Sequence, residues 1–206
     1  MKRLATAAAT AATLFGFPCL QPTPPAAAQT VLTAPPPAAA PPFGFIDEFK
    51  VGGLGHDVGF LTHHVESGAD VNLELLFTSP EWLRIIGSPR PHIGADINTA
   101  GNTSDGYFGL TWGVGLKRLL GFADGWFVNG SLGGAIHDGY LTRPSPPPPG
   151  RKLLGARILF RESAELGFQL TPRVNVSAIL DHISNANLAP RNAGITSAGL
   201  RLGFRF

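Results

Sequence analysis

The sequence predicts an all-β fold, an eight-stranded antiparallel transmembrane β-barrel, and three observations carry that prediction. Near the C-terminus the even positions Val174, Val176, Ala178 and Leu180 are apolar, while Arg173, Asn175, Ser177 and Asp181 are polar, the period of a strand with two unlike faces. After a turn-rich segment, Ala198, Leu200, Leu202, Phe204 and Phe206 alternate with Ser197, Gly199, Arg201, Gly203 and Arg205, so the chain closes on an aromatic residue of an amphipathic strand. The N-terminus reads as an export signal. By alternation alone a soluble sandwich or calyx, with the apolar face turned inward, stays open as the alternative.

Residues 1–28 form the expected signal peptide: Lys2 and Arg3, an apolar Ala-rich run, and Ala26, Ala27 and Ala28 before Gln29. A lipoprotein reading of Cys19 is disfavoured by Phe17 and Pro18, which stand where small residues are expected. Cleavage would remove the only cysteine and leave fourteen basic against fourteen acidic residues, so nothing in the charge points to nucleic acid. Residues 29–42 are an Ala/Pro tail, and residues 43–206 the expected barrel. With 26 Gly, 19 Pro and 15% charged residues, strands and turns are favoured over helices. No later run is apolar enough for a spanning helix, so a membrane location requires a closed barrel.

Residues 46–60 are Gly-rich and ambiguous. Residues 70–78 alternate, with Val71, Leu73, Leu75 and Phe77 against Asn72 and Glu74. Residues 79–91 hold three prolines and connect, with a helical turn at 81–85. The next strands are expected at 92–98, with Ile93, Ala95 and Ile97 on the apolar face, and at 106–117, with Phe108, Leu110, Trp112, Val114 and Leu116 there. Residues 125–137 set Trp126, Val128, Leu132 and Ile136 against Asn129 and Ser131. The run 146–149 is all proline and cannot pair in a sheet, so residues 143–150 are a loop. Residues 154–170 form the sixth strand, and the two C-terminal strands make eight.

The polar faces carry Asn72, Glu74, Asn129, Arg157, Arg161, Glu165 and Asp181, charges a small barrel could pair inside. An even count puts both termini at one end, where residues 171–173 would be a short turn. The longer loops, 143–150 and 187–194, belong at the other end. Two residues then stand out on the apolar face of the seventh strand: His182 and Ser184, two apart and pointing the same way. A near-neutral imidazole is the usual base for a serine nucleophile, though an isolated pair is more often just rim residues in the headgroup layer.

The surrounding residues are more specific. The stretch DHISNANLAPRNAGI (181–195), with RPHIGADINTAGNTSDGYFGLTW (90–112) and LGGAIHDG (132–139), resembles the outer-membrane lipid A 3-O-deacylase family of acyloxyacyl hydrolases over roughly residues 47–206. The resemblance implies an eight-stranded outer-membrane barrel that removes a 3-hydroxyacyl chain from lipopolysaccharide. It implies Ser184 as nucleophile, His182 as general base, Asn192 as oxyanion donor, Gly194 for a tight backbone and Asn185 for positioning the turn. No cofactor or metal is expected. The expected partners are lipid A of the outer leaflet and, through the strand ending at Phe206, the outer-membrane assembly machinery; a homodimer stays open.

Where the family's glutamate falls, twelve residues after the serine, this chain has Thr196, which can bond the imidazole but not balance its charge. An inert or weakly active barrel with a structural or surface-binding role is therefore the alternative, and an outer-membrane phospholipase the third. A three-residue turn at 171–173 would set Glu162 across from His182, making Glu162 a second candidate for orienting the base. The other histidines, His56, His63, His64, His92 and His137, show no metal-ligand spacing and read as structural or loop residues.

Overall fold

The computed structural model describes residues 44–142 and 148–206. The expected signal peptide, the Ala/Pro tail and residues 143–147 of the proline loop lie outside them. Eight strands, β1 (Ile46–Gly55), β2 (Ala69–Phe77), β3 (Arg90–Asn98), β4 (Asp105–Gly115), β5 (Trp126–His137), β6 (Ile158–Thr171), β7 (Val174–Ser184) and β8 (Ile195–Arg205), pair antiparallel in chain order. The seam between β1 and β8, from Glu48 opposite Arg205 to Gly55 opposite Ala198, closes the barrel.

Alternation decides which side faces out, and it excludes the calyx. Val71, Leu73, Ile93, Ile97, Phe108, Leu132, Phe160, Leu166, Leu200 and Leu202 are exposed on the outer wall, far more apolar surface than a soluble monomer presents. Aromatic residues gather toward the end where β1 begins and β8 finishes: Phe45 stacks on Phe77, and Trp126 meets Phe168 edge-on at 5.3 Å. This is the distribution of a lipid-facing band with an interfacial girdle.

The interior is polar and laced with ion pairs and hydrogen bonds. Lys50 Nζ donates to both Glu165 oxygens at 2.8 and 2.7 Å, and Asn129 Nδ2 to the same carboxylate at 2.6 Å. Arg201 lies 3.0 Å from Glu165 and 3.3 Å from Glu74. Arg161 Nε donates to Asp181 at 3.0 Å while its guanidinium covers the Tyr107 ring, and Asn72 Nδ2 donates to Asp96 at 2.7 Å. Lys50, Glu165, Glu74, Arg161, Asp181 and Arg201 persist in such a core because each has a counter-charge within 4.0 Å. A small apolar layer of Tyr107, Ala135, Leu154, Leu159, Ile183 and Ile195 covers this network on the side away from the termini.

Four expectations are corrected. The ambiguous segment is a regular strand, β1, despite Gly52, Gly53 and Gly55; its Glu48 and Lys50 point inward. β4 stops at Gly115, and residues Leu116–Leu120 form a short helix ended by Gly121 at φ 78°. β6 begins at Ile158 rather than 154, because Leu154 folds into the apolar layer; Arg157 consequently lies outside the barrel, donating to the His137 carbonyl at 2.6 Å. The β6–β7 turn has two residues, not three: Thr171 pairs with Val174 across a bulge, and its hydroxyl accepts the Val174 N–H at 3.0 Å. The bulge restores the register, and Glu162 faces His182. The helical turn expected at 81–85 is a 3-10 helix, Glu81–Ile86.

Candidate active site

His182 and Ser184 stand at the far end of β7, two residues apart on the outer wall and half-buried. Their Cα atoms are about 7 Å apart along a strand, close enough for the side chains to lean together. On one flank β8 brings Thr196 opposite His182, and His182 Nδ1 lies 2.8 Å from Thr196 Oγ1. On the other flank β6 brings Glu162 opposite His182. Glu162 is exposed and has no hydrogen bond among the described residues, so the imidazole's polar partner is the threonine. A cavity of about 350 Å³ opens on the wall beside this group, lined by Ser184, Glu162, Phe160, Leu132 and Ala186.

The β7–β8 connection, residues 185–194, is held by its own asparagines. The Asn185 N–H donates to Asn192 Oδ1 at 3.0 Å, and Asn192 Nδ2 donates to Asn187 Oδ1 at 3.1 Å, leaving the second Nδ2 hydrogen free. Asn185 Nδ2 donates to the Leu154 carbonyl at 2.8 Å and to the Arg191 carbonyl. Ala186 and Asn187 take positive φ (51° and 63°), which turns the chain sharply after Ser184. Gly194 has φ 28°, and a Cβ there would come within 3.1 Å of both His182 Cε1 and Thr62 Cγ2. The backbone can approach the imidazole this closely only as glycine.

Sequence reasoning missed how the site is roofed. Residues from the β1–β2 connection (56–68) lie over the end of β8: the Val58 N–H donates to the Thr196 carbonyl at 2.7 Å, and Thr196 is fully buried. Lys152, from the β5–β6 connection (138–157), inserts beneath them. Its Nζ donates to Asp57 Oδ1 at 2.6 Å, to the Gly194 carbonyl at 2.7 Å and to Thr62 Oγ1 at 3.0 Å. Three segments distant in sequence thus meet on one buried ammonium beside His182. No periodicity or spacing signals this pairing.

A second clamp seals the same end. His56 Nδ1 lies 2.8 Å from Asp70 Oδ2 and Nε2 3.3 Å from Glu66 Oε2, while Glu66 accepts the Thr103 and Lys152 N–H groups at 2.9 and 2.7 Å. Burial opposes the charged ring of His56, but the hydrogen bonds and charges of Asp70 and Glu66 outweigh it and hold its pKa at about 9. Burial likewise opposes the Glu66 carboxylate; the bonds from His56, Lys152 and Thr103 prevail and lower it to about 2. His92 and His137 are also structural in their contacts, bonding Thr111 Oγ1 at 2.9 Å and the Ala156 carbonyl at 2.7 Å.

Comparison with known proteins bears on the fold and the family. No curated protein matches the chain. Among solved structures, one titled "Crystal structure of the outer membrane enzyme PagL" superposes with a TM-score of 0.57 at 18% identity, covering 77% of this chain and 99% of that one, a likeness of fold. A family profile described as "Lipid A 3-O-deacylase (PagL)" matches residues 69–205, which include β2 to β8, His182, Ser184, Asn192 and Thr196. The chain belongs to the lipid A 3-O-deacylase (PagL) family.

Proposed function

We propose that this barrel is an outer-membrane serine esterase that removes a 3-hydroxyacyl chain from lipid A. The observation that carries the reading is the bond of the Thr196 hydroxyl to His182 Nδ1, with Ser184 two residues further along the same strand face. In the tautomer whose Nδ1–H donates to Thr196, Nε2 keeps its lone pair and can take the Ser184 proton as the oxygen attacks the ester carbonyl. The remaining Asn192 Nδ2 hydrogen is the donor proposed for the oxyanion, with Asn185 and Gly194 setting its loop. The apolar cavity beside Ser184 would take the acyl chain.

Thr196 offers no negative charge to the imidazolium. Glu162 is the nearest acidic candidate on the same wall, and a lone carboxylate facing lipid is costly enough to suggest use. We assign it the role of balancing the imidazolium from the β6 side, while Thr196 fixes the ring's orientation. The absence of a charged partner at Thr196 is also what favours the second reading, an inert barrel.

Mass spectrometry of lipid A from a host expressing the wild-type chain, beside one expressing Ser184→Ala, separates them. Loss of one 3-hydroxyacyl mass with wild type only is expected. Identical spectra, with both chains folded in the outer membrane, would reject the lipid A deacylase; fatty acid released from glycerophospholipids instead would make it a phospholipase.

A further inference from the structure

A cleft of about 390 Å³ lies between the β5–β6 and β7–β8 connections, lined by Arg151, Lys152, Leu153, Arg191, Asn192 and Ala193 among others, with three cations and no carboxylate on its walls. Its two sides are tied together: the Ala193 N–H donates to the Leu153 carbonyl at 3.3 Å. It is also tied to the nucleophile. Asn192 Oδ1 holds the N–H of Asn185, the residue after Ser184, and the Asn185 side chain holds the Arg191 carbonyl. The cleft is therefore a fixed extension of the Ser184 loop toward the end of the barrel that carries the longer connections.

The charges are not equivalent. Lys152 is neutralised by Asp57, with its ammonium turned to the Gly194 carbonyl. Arg151 stands 3.6 Å from the buried Glu66, donates to the Gly101 carbonyl at 2.8 Å and lies over the Tyr140 ring. Arg191 is exposed, its backbone is anchored, and its guanidinium has no partner among the described residues. The uncompensated charge of the cleft is thus Arg191, adjacent in sequence to Asn192.

We infer that this cleft is a phosphate subsite, in which Arg191 binds a phosphate of the lipid A sugar headgroup and so places the ester over Ser184. The inference rests on the deacylase reading. A lipid whose ester lies at the wall beside Ser184 projects its sugars toward the loops, and guanidinium is suited to phosphate by its paired donors.

The test uses the full barrel in detergent micelles, in the Ser184→Ala background so that the lipid stays intact. Binding of bisphosphorylated lipid A is compared with binding of dephosphorylated lipid A carrying the same acyl chains. The expected preference for the phosphorylated lipid is about tenfold, the size of one charge-assisted hydrogen bond, and it should survive excess inorganic phosphate. The ratio should fall toward one in Arg191→Ala and recover in part in Arg191→Lys. A ratio near one in the parent, its retention in Arg191→Ala, or its loss to inorganic phosphate would overturn the subsite. Hydrolysis by the Ser184 chain is assayed in parallel: a preference without hydrolysis would reject the esterase and leave the subsite standing.

Discussion

His182 and Thr196 face one another across the β7–β8 ladder with 2.8 Å between imidazole Nδ1 and hydroxyl, at the position where the family resemblance implies a glutamate. A neutral partner can fix the ring but cannot stabilise the charge it acquires. Replacing Thr196 by Glu should therefore raise kcat on lipid A, by roughly tenfold or more, with little change in KM. Thr196→Val, which removes the hydroxyl and keeps the shape, should lower it. A Thr196→Glu chain that folds and is no faster would mean that charge at this position is not limiting.

Glu162 offers a separate expectation. Glu162→Gln keeps size and hydrogen-bonding capacity and removes only the charge, so kcat should fall about tenfold while KM holds. In combination with Thr196→Glu the loss should shrink, because the two carboxylates would serve one imidazolium. Steady-state rates of the four chains form the cycle, and strict additivity would reject the shared role.

The Lys152 ammonium is expected to matter for stability as well as for the site. Lys152→Met strands the Asp57 carboxylate in a buried place, at a cost of about 3–5 kcal/mol. Thermal unfolding in detergent would register this as a lower Tm, and the double change Lys152→Met with Asp57→Asn should recover much of it. A single variant as stable as wild type would show that water reaches the pair.

The clamp at His56 predicts a pH dependence whose signs differ at its two limits. The pKa of His56 in the folded barrel, about 9, is above its ordinary 6.5. Its contribution is full below pH 6.5 and fades as pH rises through about 9. Glu66 runs the other way, from an ordinary 4.5 to about 2; its contribution is full above pH 4.5 and fades as pH falls toward 2. His56→Gln should flatten the alkaline limb of a Tm against pH profile and leave a milder slope there; an unchanged limb would locate the alkaline loss elsewhere.

Much of the barrel was legible because its faces are chemically unlike. Alternation in residues 70–78 and 174–184 set both strand and side; the β6–β7 register was reached through a turn one residue too long, an error the bulge between Gln169 and Thr171 cancels, so that Glu162 still faces His182. What failed had local causes. Glycines at 52, 53 and 55 blurred β1, though Lys50 and Glu48 are central to the interior network. Arg157 matched the polar period of β6, but the strand starts one residue after it. The brace from Lys152 to Asp57 spans 95 positions of sequence, and nothing short of the closed sheet brings them together.

The seam between the first and last strands brings the two ends of the barrel sequence together at the site. Thr196 belongs to β8, yet the segment that buries it follows β1, and these two strands pair only where the barrel closes on itself. An open sheet would keep the His182–Thr196 pair of the β7–β8 ladder but would leave it without its roof. Closure of the barrel and completion of the proposed site are therefore one structural event.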